Sequence, residues 1–191
     1  MGNREDLLAG ARRCLLSKGY ARTTARDVAT ESGVSLAAIG YHFGSKDELL
    51  RAALRQAIEE WGAEIAAMLA AETDPGLSGA ERFEATWERI LASFARTRPL
   101  WAIQFEVIAQ IERTPELRAA FPDANREARL GLAELFGAGP SVLGERRAEM
   151  AGACYQALLA GLAAQALVDP DGVPAASDLV DAVRAIGAAI Q

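Results

Sequence analysis

The stretch GVSLAAIGYHFGSKDELL, residues 33–50, decides how this chain is read. Its middle, from about Leu36 to His42, predicts a short helix, yet Gly40 stands inside it. A glycine there costs about 1 kcal/mol relative to alanine, in a chain that has alanine in abundance. Ile39 and Phe43 lie four apart and, with Val34 before them, form an inward face. Leu36, Ala37, Gly40 and Tyr41 are left largely outward, next to His42, the only histidine in the chain. A solvated helix would carry Lys, Glu or Gln on that side. Small residues plus one tyrosine suit a helix that lies deep in a groove, where long side chains would hold the backbone off.

Working outward, Ser45-Lys-Asp-Glu48 has the form of a capping box opening an amphipathic helix to about Ala71. Upstream, Leu7, Leu8, Ala11, Cys14 and Leu15 follow helical spacing, and Gly19 marks the stop. Thr24-Ala-Arg-Asp27 is a second capping box, and Ser32-Gly-Val-Ser35 a tight turn. Three short helices within 50 residues, the second and third joined by a glycine turn, describe a helix-turn-helix. Residues 1–50 carry net charge +1 and the remainder −7, within a total of −6. An acidic body excludes a protein that coats nucleic acid over its whole surface, but is compatible with a head that meets phosphate. Lys46 follows an N-cap serine, so its ammonium and the free amides of that helix end point to one region, a phosphate site.

The run Thr23-Thr-Ala-Arg-Asp-Val-Ala, then Gly33-Val-Ser, then Ile39-Gly-Tyr-His-Phe-Gly-Ser-Lys-Asp-Glu-Leu49 resembles the DNA-binding head of the tetracycline-repressor (TetR) family of bacterial transcription regulators. The motif resemblance covers roughly residues 4–50; beyond them only helix number, length and order agree. It implies a two-fold homodimer whose recognition helices enter successive major grooves of a pseudo-palindromic double-stranded operator. It also implies a small effector in the C-terminal domain that releases the DNA. Carried over residue by residue, Tyr41 and His42 fall at positions that contact the phosphodiester backbone or nearby base edges. Lys46 falls on a phosphate-contacting lysine, Thr24 on a helix cap that meets phosphate, and Arg26 on a base-reading position. Ser35, Leu36, Ala37, Ala38 and Gly40 complete the DNA-facing set. Where the family often has a tyrosine before Tyr41, this chain has Gly40, so that contact does not carry over. Base reading then leans on thymine methyls, on Arg26 and Tyr41, and on DNA shape.

The rest of the chain reads as helical too: an all-α fold of nine helices, with a head over residues 1–47 and a regulatory domain over 48–191. Thr73-Asp-Pro-Gly76 ends the fourth helix; Ser78-Gly-Ala-Glu81 caps a helix to about Thr97, and Pro99 starts the next. Thr114-Pro115 is a further start, Pro122 opens a helix to about Phe136, and Gly137-Ala-Gly-Pro140 breaks it. An alanine-rich helix spans about Gly144 to Val168, and a last one begins near Ser177. Its apolar stretches are read as broken by polar residues before the roughly 20 residues a membrane span needs. The N-terminus MGNREDLL lacks a signal peptide's apolar core, so a cytoplasmic protein is expected. Cys14 and Cys154 are both expected as buried, reduced thiols.

Trp61, Ile65, Met68, Phe83, Trp87, Phe94, Trp101, Phe105, Ile108 and Ile111, with Gln104, Gln110, Glu106 and Tyr155 as polar partners, are candidates for an apolar ligand cavity; Phe121 and Phe136 belong to the same aromatic set. Simple core packing is the competing reading for each. Ala151, Tyr155, Leu158, Leu159, Leu162 and Ala166, with Leu179, Val183, Ile186 and Ile190 of the last helix, are candidates for a four-helix dimer interface. No catalytic, metal or cofactor residues are assigned: no GxSxG, HExxH or glycine-rich phosphate loop appears, and no Cys/His cluster could hold a metal. The alternatives are a same-fold DNA-binding regulator without a small inducer and, in another class, a helical carrier or enzyme.

Overall fold

The computed structural model describes residues 2–72, 77–110 and 115–190, without the side chains of 71, 72, 110 and 115–124. Those residues hold nine α-helices and no strand: α1 (Asn3–Lys18), α2 (Ala25–Ser32), α3 (Leu36–Phe43), α4 (Lys46–Glu72), α5 (Gly79–Gln110), α6 (Pro115–Leu135), α7 (Pro140–Leu143), α8 (Glu145–Val168) and α9 (Ala176–Ile190). The turn at 73–76, Ile111, Thr114 and the side chains of Gln110 and Phe121 lie outside the described residues. By packing, the chain divides into two units, Met1–Ala63 with Thr97–Arg113, and Glu64–Arg96 with Thr114–Gln191.

In the first unit α1 packs on α2 and α3. Leu7, Ala11, Cys14, Leu15, Tyr20, Val28, Ile39, Leu49 and Leu50 are buried there. The crossing of α1 and α2 depends on Gly10: a Cβ on it would lie 2.8 Å from the Cβ of Ser32 and 3.0 Å from its backbone nitrogen. The Thr24 box is complete, with the hydroxyl accepting from the Asp27 amide and the Asp27 carboxylate accepting from the Thr24 amide. Helix α2 ends at Gly33 in the left-handed region (φ 69°, ψ 15°), a conformation costly for any residue with a Cβ. At Ser45 the hydroxyl accepts from the Glu48 amide at 3.1 Å.

In the second unit α6 crosses α8 at Gly152, where a Cβ would collide with the Arg129 carbonyl oxygen. Only glycine fits that crossing. Beside it the Arg129 Nε donates to Gln156 Oε1 at 3.2 Å, and Gln156 Nε2 donates to Asn125 Oδ1 at 3.1 Å.

Five sequence expectations change. Helix α5 does not break at Pro99 but runs through it from Gly79 to Gln110. An interior proline costs about 3 kcal/mol; burial of Leu100, Trp101 and Ile103 beside it offsets that cost. Likewise α6, which begins at Pro115 as expected, runs on through Pro122 instead of restarting there, and a short α7 stands where only a break was expected. The run from Met150 to Val168 carries no charge, and α8 is, by length and composition alone, apolar and long enough to cross a membrane. Finally Cys14 is buried as expected, but Cys154 is exposed. It shares the uncovered side of α8 with Met150, Leu158 and Val168.

Candidate nucleic-acid interface

Helix α3 is placed by Ile39, buried at its centre, with Val34 and Phe43 half-buried beside it. The opposite side is open. Tyr41 is 86% exposed and Leu36 49% exposed, and a Cβ on Gly40 would meet nothing within 4 Å. Ser35, Ala37 and Gly40 are exposed, while Ala38 and His42 are half-buried. Tyr41 and His42 pack edge to face, ring centroids 4.9 Å apart at 85°. Each ring therefore restrains the other while the tyrosine hydroxyl remains free to reach outward. Ser35, the N-cap residue, makes no side-chain cap bond, so its hydroxyl is also available as a donor.

The cations around α3 differ in how committed they are. Arg26 is exposed and makes no ion pair or side-chain hydrogen bond among the described residues. Lys46 is half-buried, its Nζ 3.0 Å from Asp47 Oδ1 and 6.0 Å from the Tyr20 ring centroid. A part-exposed pair of this kind is worth less than about 1 kcal/mol, so a phosphate can displace the carboxylate. Arg22 donates from Nε to the Lys18 carbonyl at 2.7 Å. Thr24 is more committed than its cap role implied: its hydroxyl donates to Asp27 Oδ2 at 2.7 Å. A phosphate contact from that hydroxyl must therefore compete with Asp27. The Asp27 carboxyl is held well below the usual carboxylate range, first by the Lys18 ammonium at 2.6 Å and then by the Thr24 hydroxyl and amide.

Two features escaped the sequence. The Arg4 guanidinium lies 5.2 Å over the Phe43 ring, a cation–π contact between the start of α1 and the end of α3. Glu106 of α5 accepts hydrogen bonds from the backbone of the α1–α2 loop. No local pattern announces a contact across so much sequence.

The ligand candidates divide between the two packing units. In the first, Trp61 and Trp101 meet edge to face at 5.2 Å, with Gln104 and Phe105 half-buried. Ile108 is 41% exposed there, so as a correction it does not line a closed cavity. In the second, Phe136 stacks on Tyr155 at 4.1 Å and 12°, and Phe83 and Trp87 join that cluster. Burial pushes the Tyr155 hydroxyl above its ordinary pKa. Ile65 and Phe94 are buried and Met68 is half-buried. The Trp87 ring is wholly buried, and its Nε1 has no hydrogen-bond partner among the described residues.

The dimer candidates need correcting too. Leu159, Leu162 and Leu179 are buried within the chain, so they belong to its own core rather than to a face it offers. Leu158, Val183, Ile186 and Ile190 are exposed, and Ala151, Tyr155 and Ala166 half-buried.

Comparison with known proteins agrees with this geometry. Residues 7–53 match the model for bacterial regulatory proteins of the tetR family, and residues 79–189 match that of the BetI-type transcriptional repressor C-terminal domain. The HTH-type transcriptional repressor AcnR of Corynebacterium efficiens is 29% identical over 125 residues, 64% of this chain and 58% of that protein. AcnR of Corynebacterium glutamicum is 41% identical over 54 residues, 28% of this chain and 29% of that one. The matches thus span 58% and 29% of the lengths of these two curated relatives. Among solved structures, a candidate transcriptional regulator from Streptomyces coelicolor A3(2) superposes with TM-score 0.69 at 20% identity, covering 96% of this chain and 97% of that one. The multidrug binding protein EbrR, complexed with imidazole, gives TM-score 0.66 at 25% identity, covering 95% and 94%.

Proposed function

The chain belongs to the tetR family of bacterial regulatory proteins, and from that premise we propose that it is a sequence-specific DNA-binding transcriptional repressor acting as a homodimer. Residues 1–47 are the head and 48–191 the regulatory and dimerising part. The observation that carries this reading is the outward side of α3: open at Gly40, flanked by Tyr41 and Leu36, with uncommitted Arg26 and weakly paired Lys46 nearby. Small residues let the helix backbone approach the major groove, and the flanking donors meet phosphates and base edges.

The uncovered apolar side of α8 and the exposed Val183, Ile186 and Ile190 of α9 supply the dimer contact, covered by the same helices of a second copy. That cover, rather than lipid, accounts for the apolar length of α8, because Ala148, Gly152, Leu159, Leu162 and Ala163 on its other side are buried within the chain. The protein is soluble and acts in the cytoplasm.

Release from the operator falls to an apolar or amphipathic ligand carrying a hydrogen-bond acceptor. The buried Trp87 Nε1 supports this, since an unpaired buried donor costs about 1–3 kcal/mol that a bound acceptor recovers. A filled core with no inducer is the competing reading, favoured by the complete burial of Trp87 and Ile65.

Fluorescence anisotropy at fixed salt, using the DNA flanking the chain's own gene and a scrambled duplex, tests the assignment. Arg26→Ala should cost about 1–3 kcal/mol on the operator alone. Lys46→Ala should weaken both duplexes alike and reduce the salt slope by about 1. No binding to any duplex at low salt would overturn the reading, and a ligand that releases the operator in the same assay would establish induction.

A further inference from the structure

The loop between α1 and α2 is tied to a residue far along the chain. Glu106 Oε2 accepts from the Tyr20 amide at 2.9 Å and Oε1 from the Ala21 amide at 2.7 Å, across 86 and 85 positions. Two amides aimed at the two oxygens of one carboxylate make a charge-assisted, geometrically specific clamp. The chain comes close enough for this at Gly19, where φ is +81° and a Cβ would lie 3.3 Å from the same Oε2. The Tyr20 side chain is buried beneath the loop.

The rest of the loop is bonded onward toward the DNA-facing end of α2. Thr23 Oγ1 donates to the Gly19 carbonyl at 2.7 Å and Arg22 Nε to the Lys18 carbonyl at 2.7 Å. Lys18 Nζ donates to Asp27 Oδ1 at 2.6 Å, and Asp27 completes the cap with Thr24. These hydrogen bonds, joined by the short backbone of residues 18–24, therefore link α5 to the N-terminus of α2, where Thr24 and Arg26 stand. The Tyr20 ring, held at the clamp, is also the one beneath Lys46 Nζ.

We propose that Glu106 is a positioning residue for DNA binding, whose carboxylate fixes the α1–α2 loop and so sets the phosphate contacts made from Thr24 and Lys46. A displacement of the 97–110 segment of α5 pulls directly on that loop, which makes the clamp a point of control over the head. The inference rests on the DNA-binding reading, but the clamp itself is measurable without DNA.

The test uses the full chain as Glu106→Gln, which keeps the shape but loses the charge, and Glu106→Ala, with Arg12→Ala as control. Arg12 pairs with Glu60 on the exposed surface of the same unit. Amide exchange at Tyr20 and Ala21 should quicken by about tenfold in both Glu106 variants and stay unchanged in Arg12→Ala. Operator affinity should fall by about tenfold, and the slope of log K against log salt should shrink by about 0.9, one phosphate contact. A merely structural role would lower the melting temperature without moving that slope.

Unchanged exchange at the two amides would overturn the clamp. Faster exchange with unaltered operator affinity and salt slope would overturn the positioning role. Failure of the unmodified chain to bind any duplex would overturn the function and the coupling together, while the exchange arm would still report whether Glu106 holds the loop.

Discussion

Among the described residues the exposed apolar side chains of α3 and those of α8 and α9 are set in different surroundings. On α3 the exposed side is short and nearly flat, with Gly40 and Ala37 between Leu36 and Tyr41, and cations stand close by at Arg26 and Lys46. On α8 the exposed side is long and oily, with Met150, Leu158 and Val168, and α9 exposes Val183, Ile186 and Ile190. No charged residue interrupts the α8 stretch between Met150 and Val168. Exposure of apolar side chains marks an interaction site in both. On the reading proposed above the neighbours distinguish the partners: small residues near cations suit a polyanion, whereas the charge-free stretch of α8 suits a second copy like itself.

The sharpest way to break that comparison is to put the same charge on both faces. Leu158→Lys should split the dimer, because two like charges would be buried at its centre. Operator affinity should then fall by about 100-fold or more as the two heads lose their linkage, read by sedimentation and by anisotropy. Leu36→Lys should leave the dimer intact and bind random duplex at least as tightly as the unmodified chain, since the added charge faces phosphate. Equal damage from both substitutions would erase the distinction between the faces.

A smaller effect sharpens the α3 side. Gly40→Ala adds a Cβ that meets nothing in the protein, so thermal melting should show about 0.5–1 kcal/mol of added stability. Operator affinity should nonetheless drop, because the new methyl stands where the groove must close in. Unchanged affinity would mean the helix backbone does not approach the bases at that point.

The smallest effect concerns the cap behind that face. Asp27 is depressed in the folded chain relative to its ordinary 3.8, chiefly by the hydrogen bond from Lys18. A lowered folded pKa gives stability that is present above the unfolded value and lost as pH falls through the folded one. Melting temperature should therefore decline below about pH 4, and Asp27→Asn should flatten that decline. Glu81, lowered likewise by Ser78 in the second unit, should still contribute to the acid limb in the variant.

The head was legible because its devices are local. The Thr24–Asp27 box, the Gly33 stop and the alternation of Ile39 against Tyr41 each use residues within four positions of one another. The proline rule misled at Pro99 because burial of distant-packed Leu100 and Trp101 outweighs a missing backbone bond, and periodicity carries no such weighting. The dimer set mixed Leu158 with Leu159 and Leu162 because an all-round apolar helix has no phase to tell a covered side from an open one. Glu106 was picked out only as a polar partner for a ligand; its hold on the α1–α2 loop was not legible, because the partners are backbone amides 85 and 86 positions away and amides leave no mark on sequence.

The two cysteines give the molecule a reporter it did not need to be engineered for. Cys14 is buried, and burial pushes its thiol above its ordinary pKa, so it stays silent toward a thiol reagent in the folded chain. Cys154 stands in the open on the very side of α8 that a second copy would cover. Its labelling rate, followed as protein concentration is raised, reads coverage of that side directly in the unmodified chain.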